Sequence, residues 1–248
     1  MNGPIRIAQI TDCHLPADSR LGYRDVNAHS NLEALLQTIS NYTPDLLLAT
    51  GDLSEDASPA SYHALQAYFD STGVPVLALP GNHDDAELLA QFFPGSPVDD
   101  VSVSGHGEWQ IIRLNSCLNR KPEGRLTGHT LKKLEQLLLC EPQRPRLIAL
   151  HHQPIPVGSP WIDKYRMFEP EAFLELIDQT PGVRAVVWGH VHQIFDAKMD
   201  GIAMLGGPSS SINSVPGMDK FTADALGPAC RWLELGVNGS FSSRIITA

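Results

Sequence analysis

The sequence has no pair of neighbouring cysteines and no apolar run that approaches membrane-spanning length. Its cysteines, Cys13, Cys117, Cys140 and Cys230, stand far apart without a CxxC pair. That spacing fits reduced thiols in a cytoplasmic protein better than a disulfide frame. Positive charge is scarce. Lys and Arg together number 18 against 28 Asp and Glu, for a net charge of −10 with His neutral. A nonspecific nucleic-acid binder would need the opposite balance to neutralise phosphates. A small anionic substrate remains compatible with an acidic chain if metal ions supply local positive charge. No signal peptide is expected, since Met1-Asn2-Gly3-Pro4 leads into a strand within a few residues. Neither an internal repeat nor a low-complexity tract is visible, and no linker marks a second domain. The 248 residues, 42% apolar and 19% charged, therefore read as one α/β domain, 1–248, with a sizeable core.

Apolar patterning places the elements. Ile5 to Thr11 alternates like a strand. Ser30 to Asn41 carries Leu32, Leu35, Leu36 and Ile39 at helical spacing, with Ser30 or Asn31 as N-cap. Leu46 to Thr50 is a continuous apolar run, as in a strand covered on both faces. Helices follow over Pro59–Ser71, Ala86–Phe93, Thr127–Cys140 and Glu169–Gln179, and strands over Val74–Leu79, Trp109–Asn115, Arg146–Leu150 and Val183–Trp188. Ile194–Met199 and Ile202–Leu205 read as a hairpin around Asp200-Gly201, and Cys230–Leu235 with Ser240–Thr247 as a second around Asn238-Gly239. Early strand–helix alternation favours parallel crossovers, and the closely spaced late strands pair antiparallel. The expected fold is α/β: two packed mixed sheets flanked by helices.

Residues that bind metals gather just after these strands. They occur as Asp12-Cys13-His14, Gly51-Asp52, Gly81-Asn82-His83-Asp84, His151-His152 and Gly189-His190-Val191-His192. Open α/β sheets place their chemistry at such ends. Residues two apart in extended backbone point the same way, so Asp12 pairs with His14 and His190 with His192. A carboxylate such as Asp52 has two oxygens and can bridge two cations. Adjacent histidines on a strand point oppositely, so at most one of His151 and His152 is expected to ligate, while the other lines the pocket or holds an outer hydrogen bond. Each piece alone has a plainer reading. Asn82, for example, would also serve as the N-cap of the next helix. The remaining histidines, His29, His63, His106 and His129, read as ordinary surface or partly buried residues.

In this order the motifs resemble those of the calcineurin-like metallophosphoesterase superfamily, from Ile7 to about Ile245. Within it, the flanks Gln9-Ile10-Thr11-Asp12, Ala49-Thr50-Gly51-Asp52-Leu53, Pro154-Ile155-Pro156-Val157-Gly158, Trp161-Ile162-Asp163 and Arg231-Trp232-Leu233-Glu234-Leu235 are similar to the bacterial class III cyclic-AMP phosphodiesterases. Gln153 departs from that pattern, in which Pro or His is common. The resemblance implies a four-layer αββα sandwich and two metal sites. Asp12, His14, Asp52 and His192 hold the first, and Asp52, Asn82, His151 and His190 the second, with Asp52 bridging. Its choice of His151 over His152 is not one the residues make by themselves. Mixed N and O ligands suit Mn, Fe or Zn better than Mg or Ca. The implied reaction is hydrolysis of 3′,5′-cyclic AMP to 5′-AMP by in-line attack of a hydroxide between the ions. Asn82 and His83 face the substrate, and His83 contacts the phosphate or protonates the leaving alkoxide. Asp84 either orients His83 or caps the following helix. The same chemistry on another phosphodiester, such as a glycerophosphodiester or a different cyclic nucleotide, is the alternative, followed by a non-catalytic scaffold of this fold. The expected partner is a small cyclic nucleotide, with no nucleic acid and no membrane. Trp161 to Phe168 reads as a lid or substrate wall, with core packing for Trp161 as the alternative, and Gly206 to Ala225 as a loop beside the site.

Overall fold

A computed structural model describes residues 3–119 and 121–248. Met1, Asn2 and Arg120, which belong to the expected leading segment and to the loop before Leu126, lie outside them. Side-chain burial shows why the strand runs look continuous. In β1 (Ile5–Ile10), Ile7 enters the core between two sheets, while Ala8 and Ile10 pack under helices. In β2 (Leu46–Thr50), Leu46 and Leu48 face the other sheet, and Leu47 and Ala49 face helices. The period is two, as pleating demands, but both faces are apolar because both are covered.

The first sheet also holds β3 (Val76–Leu79), β10 (Ala229–Leu235) and β11 (Phe241–Thr247), in the order β11-β10-β1-β2-β3. The second comprises β4 (Val101–His106), β5 (Trp109–Leu114), β6 (Arg146–Ala149), β7 (Val183–Trp188), β8 (Phe195–Met199) and β9 (Ile202–Gly206), in the order β4-β5-β6-β7-β9-β8. Strands β1, β2 and β3 run parallel, as do β5, β6, β7 and β9, while the late pairs β8–β9 and β10–β11 are antiparallel as expected. Helices α1 (Ala28–Ser40), α2 (Pro59–Asp70) and α3 (Ala86–Phe92) cover the first sheet, and α4 (Gly128–Cys140) and α6 (Glu171–Asp178) the second, with a single turn α5 (Pro160–Asp163) between them. This is the four-layer arrangement.

Three local expectations are corrected. Helix α1 begins earlier than Ser30, because Asn27 is the N-cap and accepts from the Ser30 amide at 2.9 Å. Strand β4 was not visible in the sequence: its residues Val-Ser-Val-Ser-Gly-His lie at a half-exposed sheet edge and lack a strong apolar signal. His29, expected at the surface or partly buried, is buried, with its Nε2 2.9 Å from the Pro16 carbonyl oxygen. Among the described residues no helix is long and apolar enough to cross a membrane.

Candidate metal centre

The loops that follow β1, β2 and β7 hold an unusual backbone. Asp12, His14, Asp52, His190 and His192 all have positive φ, at 53°, 46°, 49°, 67° and 49°. Each such non-glycine residue costs on the order of 1–3 kcal/mol, and such residues persist only where the surroundings fix them. Here the loops brace one another. The amides of Asp12 and His14 donate to the carbonyls of Gly51 and Asp52, each at 3.0 Å. Asp12 and His14 thus converge, but not by the extended geometry expected from the sequence. Two motif glycines permit the close approach. A Cβ on Gly81 would strike the Asp52 amide and carboxylate, and one on Gly189 would strike the Thr11 hydroxyl.

Six of the seven expected ligands supply atoms that cluster. Ligand atoms of Asp12, His14 and His192 lie within 4.8 Å of one another, and so do those of Asp12, Asp52 and His151. His14 Nε2 is 3.2 Å from His192 Nε2 and 3.8 Å from Asp52 Oδ2. His192 Nε2 is 3.4 Å from Asp12 Oδ1, and His151 Nε2 is 3.3 Å from Asp52 Oδ2. His190 belongs to a third group, with His151 and His152. Asn82, the seventh, is buried directly beyond Gly81 and so lies next to Asp52. The histidine pair does not alternate as strand neighbours would, because β6 has ended at Ala149. The ring centroids of His151 and His152 are 4.9 Å apart, and they lie 5.0 and 4.7 Å from that of His190.

The donor set fits cations. Asn82 Oδ1 and the Nε2 atoms of His151, His152 and His190 are buried with no hydrogen-bond partner among the described residues. Buried polar atoms rarely go unsatisfied, so four together mark a site that takes a further group. Four imidazoles are anchored through the other nitrogen. His14 Nδ1 lies 2.7 Å from Glu55, His151 Nδ1 2.8 Å from the Thr50 oxygen, His192 Nδ1 2.8 Å from the Ile212 oxygen, and His152 Nδ1 2.8 Å from Ser116 Oγ. Outer anchoring of this kind leaves Nε2 facing the ligand position.

Electrostatics agree. Burial alone would raise the Asp52 carboxyl, but His151, His83 and His14 more than reverse this and hold it well below the carboxylate range. Burial holds His190 and His152 well below ordinary histidine, and neighbouring imidazoles push the same way, which keeps both neutral, as His190 must be to ligate. Burial opposes charge on His151 too, yet Asp52 and Asp12 raise it to about 9. A proton or a metal cation answers the same negative field.

Glu55 and Asp84 carry structure that the sequence did not reveal. Glu55 lies between the rings of His14 and His83, with its carboxylate 3.2 Å from His83 Nδ1. The His83 amide donates to Asp52 Oδ1 at 2.8 Å. Asp84 neither orients His83 nor caps α3; Asp85 is the cap. Asp84 instead accepts from the amides of Gly81, Leu53 and Ser54 at 2.9, 3.1 and 3.0 Å, and from the Tyr62 hydroxyl at 3.0 Å. It ties the Asp52 loop to the Asn82 loop. Tyr62→Phe removes one donor to this carboxylate and one acceptor for the Asp85 amide. We expect it to lower unfolding free energy by about 1–3 kcal/mol in urea denaturation. An unchanged midpoint would contradict this bracing role.

Strands that deliver imidazoles and carboxylates to one sheet rim, within an αββα sandwich, define a metallophosphoesterase. The chain belongs to the calcineurin-like phosphoesterase family, which it matches over residues 5–194. This family uses a dinuclear metal centre. Over 97% of its length the chain is 33% identical to the 3′,5′-cyclic adenosine monophosphate phosphodiesterase CpdA of Vibrio vulnificus, covering 89% of that protein. It is 35% identical to a 3′,5′-cyclic-nucleotide phosphodiesterase of Nostoc sp., covering 98% of this chain and 92% of the relative. In fold it is similar to a dimetal phosphatase from Danio rerio, with TM-score 0.72, 16% identity and 98% and 99% of the two chains covered.

Proposed function

We propose that this chain is a metal-dependent phosphodiesterase that hydrolyses 3′,5′-cyclic AMP to 5′-AMP. The observation that carries the reading is the buried cluster of carboxylates and imidazoles whose inward-facing atoms lack partners among the described residues. The substrate assignment rests on the relatives of known name, which align along nearly the full chain. Asp12, His14, Asp52 and His192 would hold one ion, and Asp52, Asn82, His151 and His190 the other. When bound, two such ions make water nucleophilic near neutral pH and neutralise charge that grows on the phosphoryl oxygens. Asn82 and His83 approach the phosphate from the loop after β3. Water adds to phosphorus and loses a proton to solvent, the P–O3′ bond breaks, and His83 gives its own proton to the departing ribose oxygen, a poor leaving group without one, and is reprotonated from solvent. Glu55 and the Asp52 carboxylate fix where that imidazole sits.

The test is a substrate panel on manganese-loaded protein, with cyclic AMP, cyclic GMP, a glycerophosphodiester and a phosphomonoester. Cyclic AMP is expected to turn over best, to release 5′-AMP, and to be spared after chelation. Faster hydrolysis of the glycerophosphodiester would replace the substrate assignment. Within the site, His151→Ala is expected to lose one of the two ions by metal analysis, whereas His152→Ala keeps both. The reverse pattern would exchange their roles.

A further inference from the structure

Beside the cluster stands a group of rings that metal binding does not use. Trp161 and Phe221 meet edge to face, with centroids 5.3 Å apart and planes at 87°. Both reach His192, at 6.4 and 6.0 Å. Tyr23 lies flat on His14, at 3.9 Å and 7°. The Arg24 guanidinium sits over the Phe221 ring, 4.0 Å from its centroid.

The surroundings hold these groups in place. Residues 23–26 form a tight turn closed by both backbone hydrogen bonds between Tyr23 and Val26, at 2.9 and 3.0 Å. Its central residues, Arg24 and Asp25, have φ of 47° and 68°. Such turns favour Asn-Gly, so Arg and Asp occupy these positions under strain, and the strained turn carries Arg24 over Phe221. On the other side, Asp163 accepts from the amides of Val157, Gly158 and Ser159 at 2.8, 2.9 and 3.1 Å. Ser159 Oγ donates to Gln193 Oε1 at 2.7 Å and accepts from the Gly217 amide at 2.8 Å. The Trp161 amide donates to the Met218 carbonyl at 3.3 Å. These bonds join the segments bearing Trp161 and Phe221 to the loop bearing His192. The Trp161 indole Nε1 is buried and has no acceptor among the described residues, although buried indole N–H groups usually find one.

We infer that Trp161 and Phe221 form the base-binding wall of the site, on which a purine stacks while the Trp161 indole N–H donates to one of its ring nitrogens. The inference rests on the phosphodiesterase reading above and names the residues that hold the base. A guanidinium and a nucleobase both seat flat on an aromatic face, so the Arg24 position marks a face that takes planar groups. Arg24 itself is exposed on its turn. With the phosphate held beside His14 and His192, a base one ribose away reaches these rings. Purines present ring-nitrogen acceptors that suit an indole donor.

The experiment is calorimetric titration of the full-length, metal-loaded protein with AMP and with ribose 5-phosphate, which keeps the sugar and phosphate but has no base. We expect the wild type to bind AMP about 10- to 100-fold more tightly than ribose 5-phosphate. Phe221→Ala and Trp161→Ala should bring the two within about threefold by weakening AMP alone, and Trp161→Phe, which keeps a ring without the N–H, should lose about 3- to 10-fold. Unaltered ribose 5-phosphate affinity shows that a variant is folded, and Phe221→Leu replaces Phe221→Ala if it is not. Equal affinity of the wild type for both ligands overturns the inference, as does a full AMP preference in Phe221→Ala or Phe221→Leu. Protein that prefers AMP but leaves cyclic AMP intact would keep the wall and lose the cyclic-AMP reading. Protein that hydrolyses cyclic AMP without preferring AMP would do the reverse.

Discussion

Replacing Asp52 with Asn is expected to lower kcat/KM for cyclic AMP by about 10³-fold or more, since metal ions supply several kcal/mol of transition-state stabilisation and each 1.36 kcal/mol is tenfold. The substitution keeps the shape of the side chain but removes the negative charge. Asp52 lies 3.3 Å from His151 Nε2 and 3.8 Å from His14 Nε2, and it takes the His83 amide at 2.8 Å. It is in contact with both halves of the cluster and with the proposed proton donor. Metal content should fall together with activity. A loss smaller than tenfold, with both ions still bound, would remove Asp52 from the bridging position.

The second large effect is expected at His83. His83→Ala should reduce cyclic-AMP turnover by about 10²- to 10⁴-fold, the usual worth of a positioned general acid. Bis(p-nitrophenyl) phosphate should lose far less, because nitrophenolate departs without a proton. This contrast separates the two roles open to His83, as a phosphate contact would weaken both substrates alike. Glu55→Gln serves as a graded companion. It keeps the side chain beside His83 Nδ1 but withdraws the charge that, with Asp52, outweighs burial and raises this imidazole to about 9. Its loss should also be larger for cyclic AMP than for the nitrophenyl ester. Equal losses on the two substrates, in either variant, would assign His83 to binding.

Much of this molecule was legible in its sequence, for identifiable reasons. Leu46 to Thr50 read as a strand covered on both faces, and Val183 to Trp188 as a strand, because helices and the opposite sheet cover both and keep their runs apolar. Asp12, Asp52, Asn82 and His190 stood out because polar metal-binding types follow such runs without a spacer. What stayed hidden depends on contacts distant in sequence. The positive φ of Asp12, His14 and His192 comes from loops bracing one another, so the local pattern suggested extended backbone instead. Asp84 sits in a motif that fits a cap, yet its partners Leu53, Ser54 and Tyr62 belong to another loop and another helix. Glu55 is an acidic residue in a polar stretch, and only the fold places it between two imidazoles. Strand β4 escaped notice because an exposed edge carries little apolar signal.

Anomalous diffraction from crystals grown with manganese tests most directly whether these side chains share a pair of cations. The expected map has one peak among Asp12, His14 and His192 and a second among Asn82, His151 and His190, with Asp52 touching both. A single peak away from Asp52, or none within reach of these side chains, would contradict it.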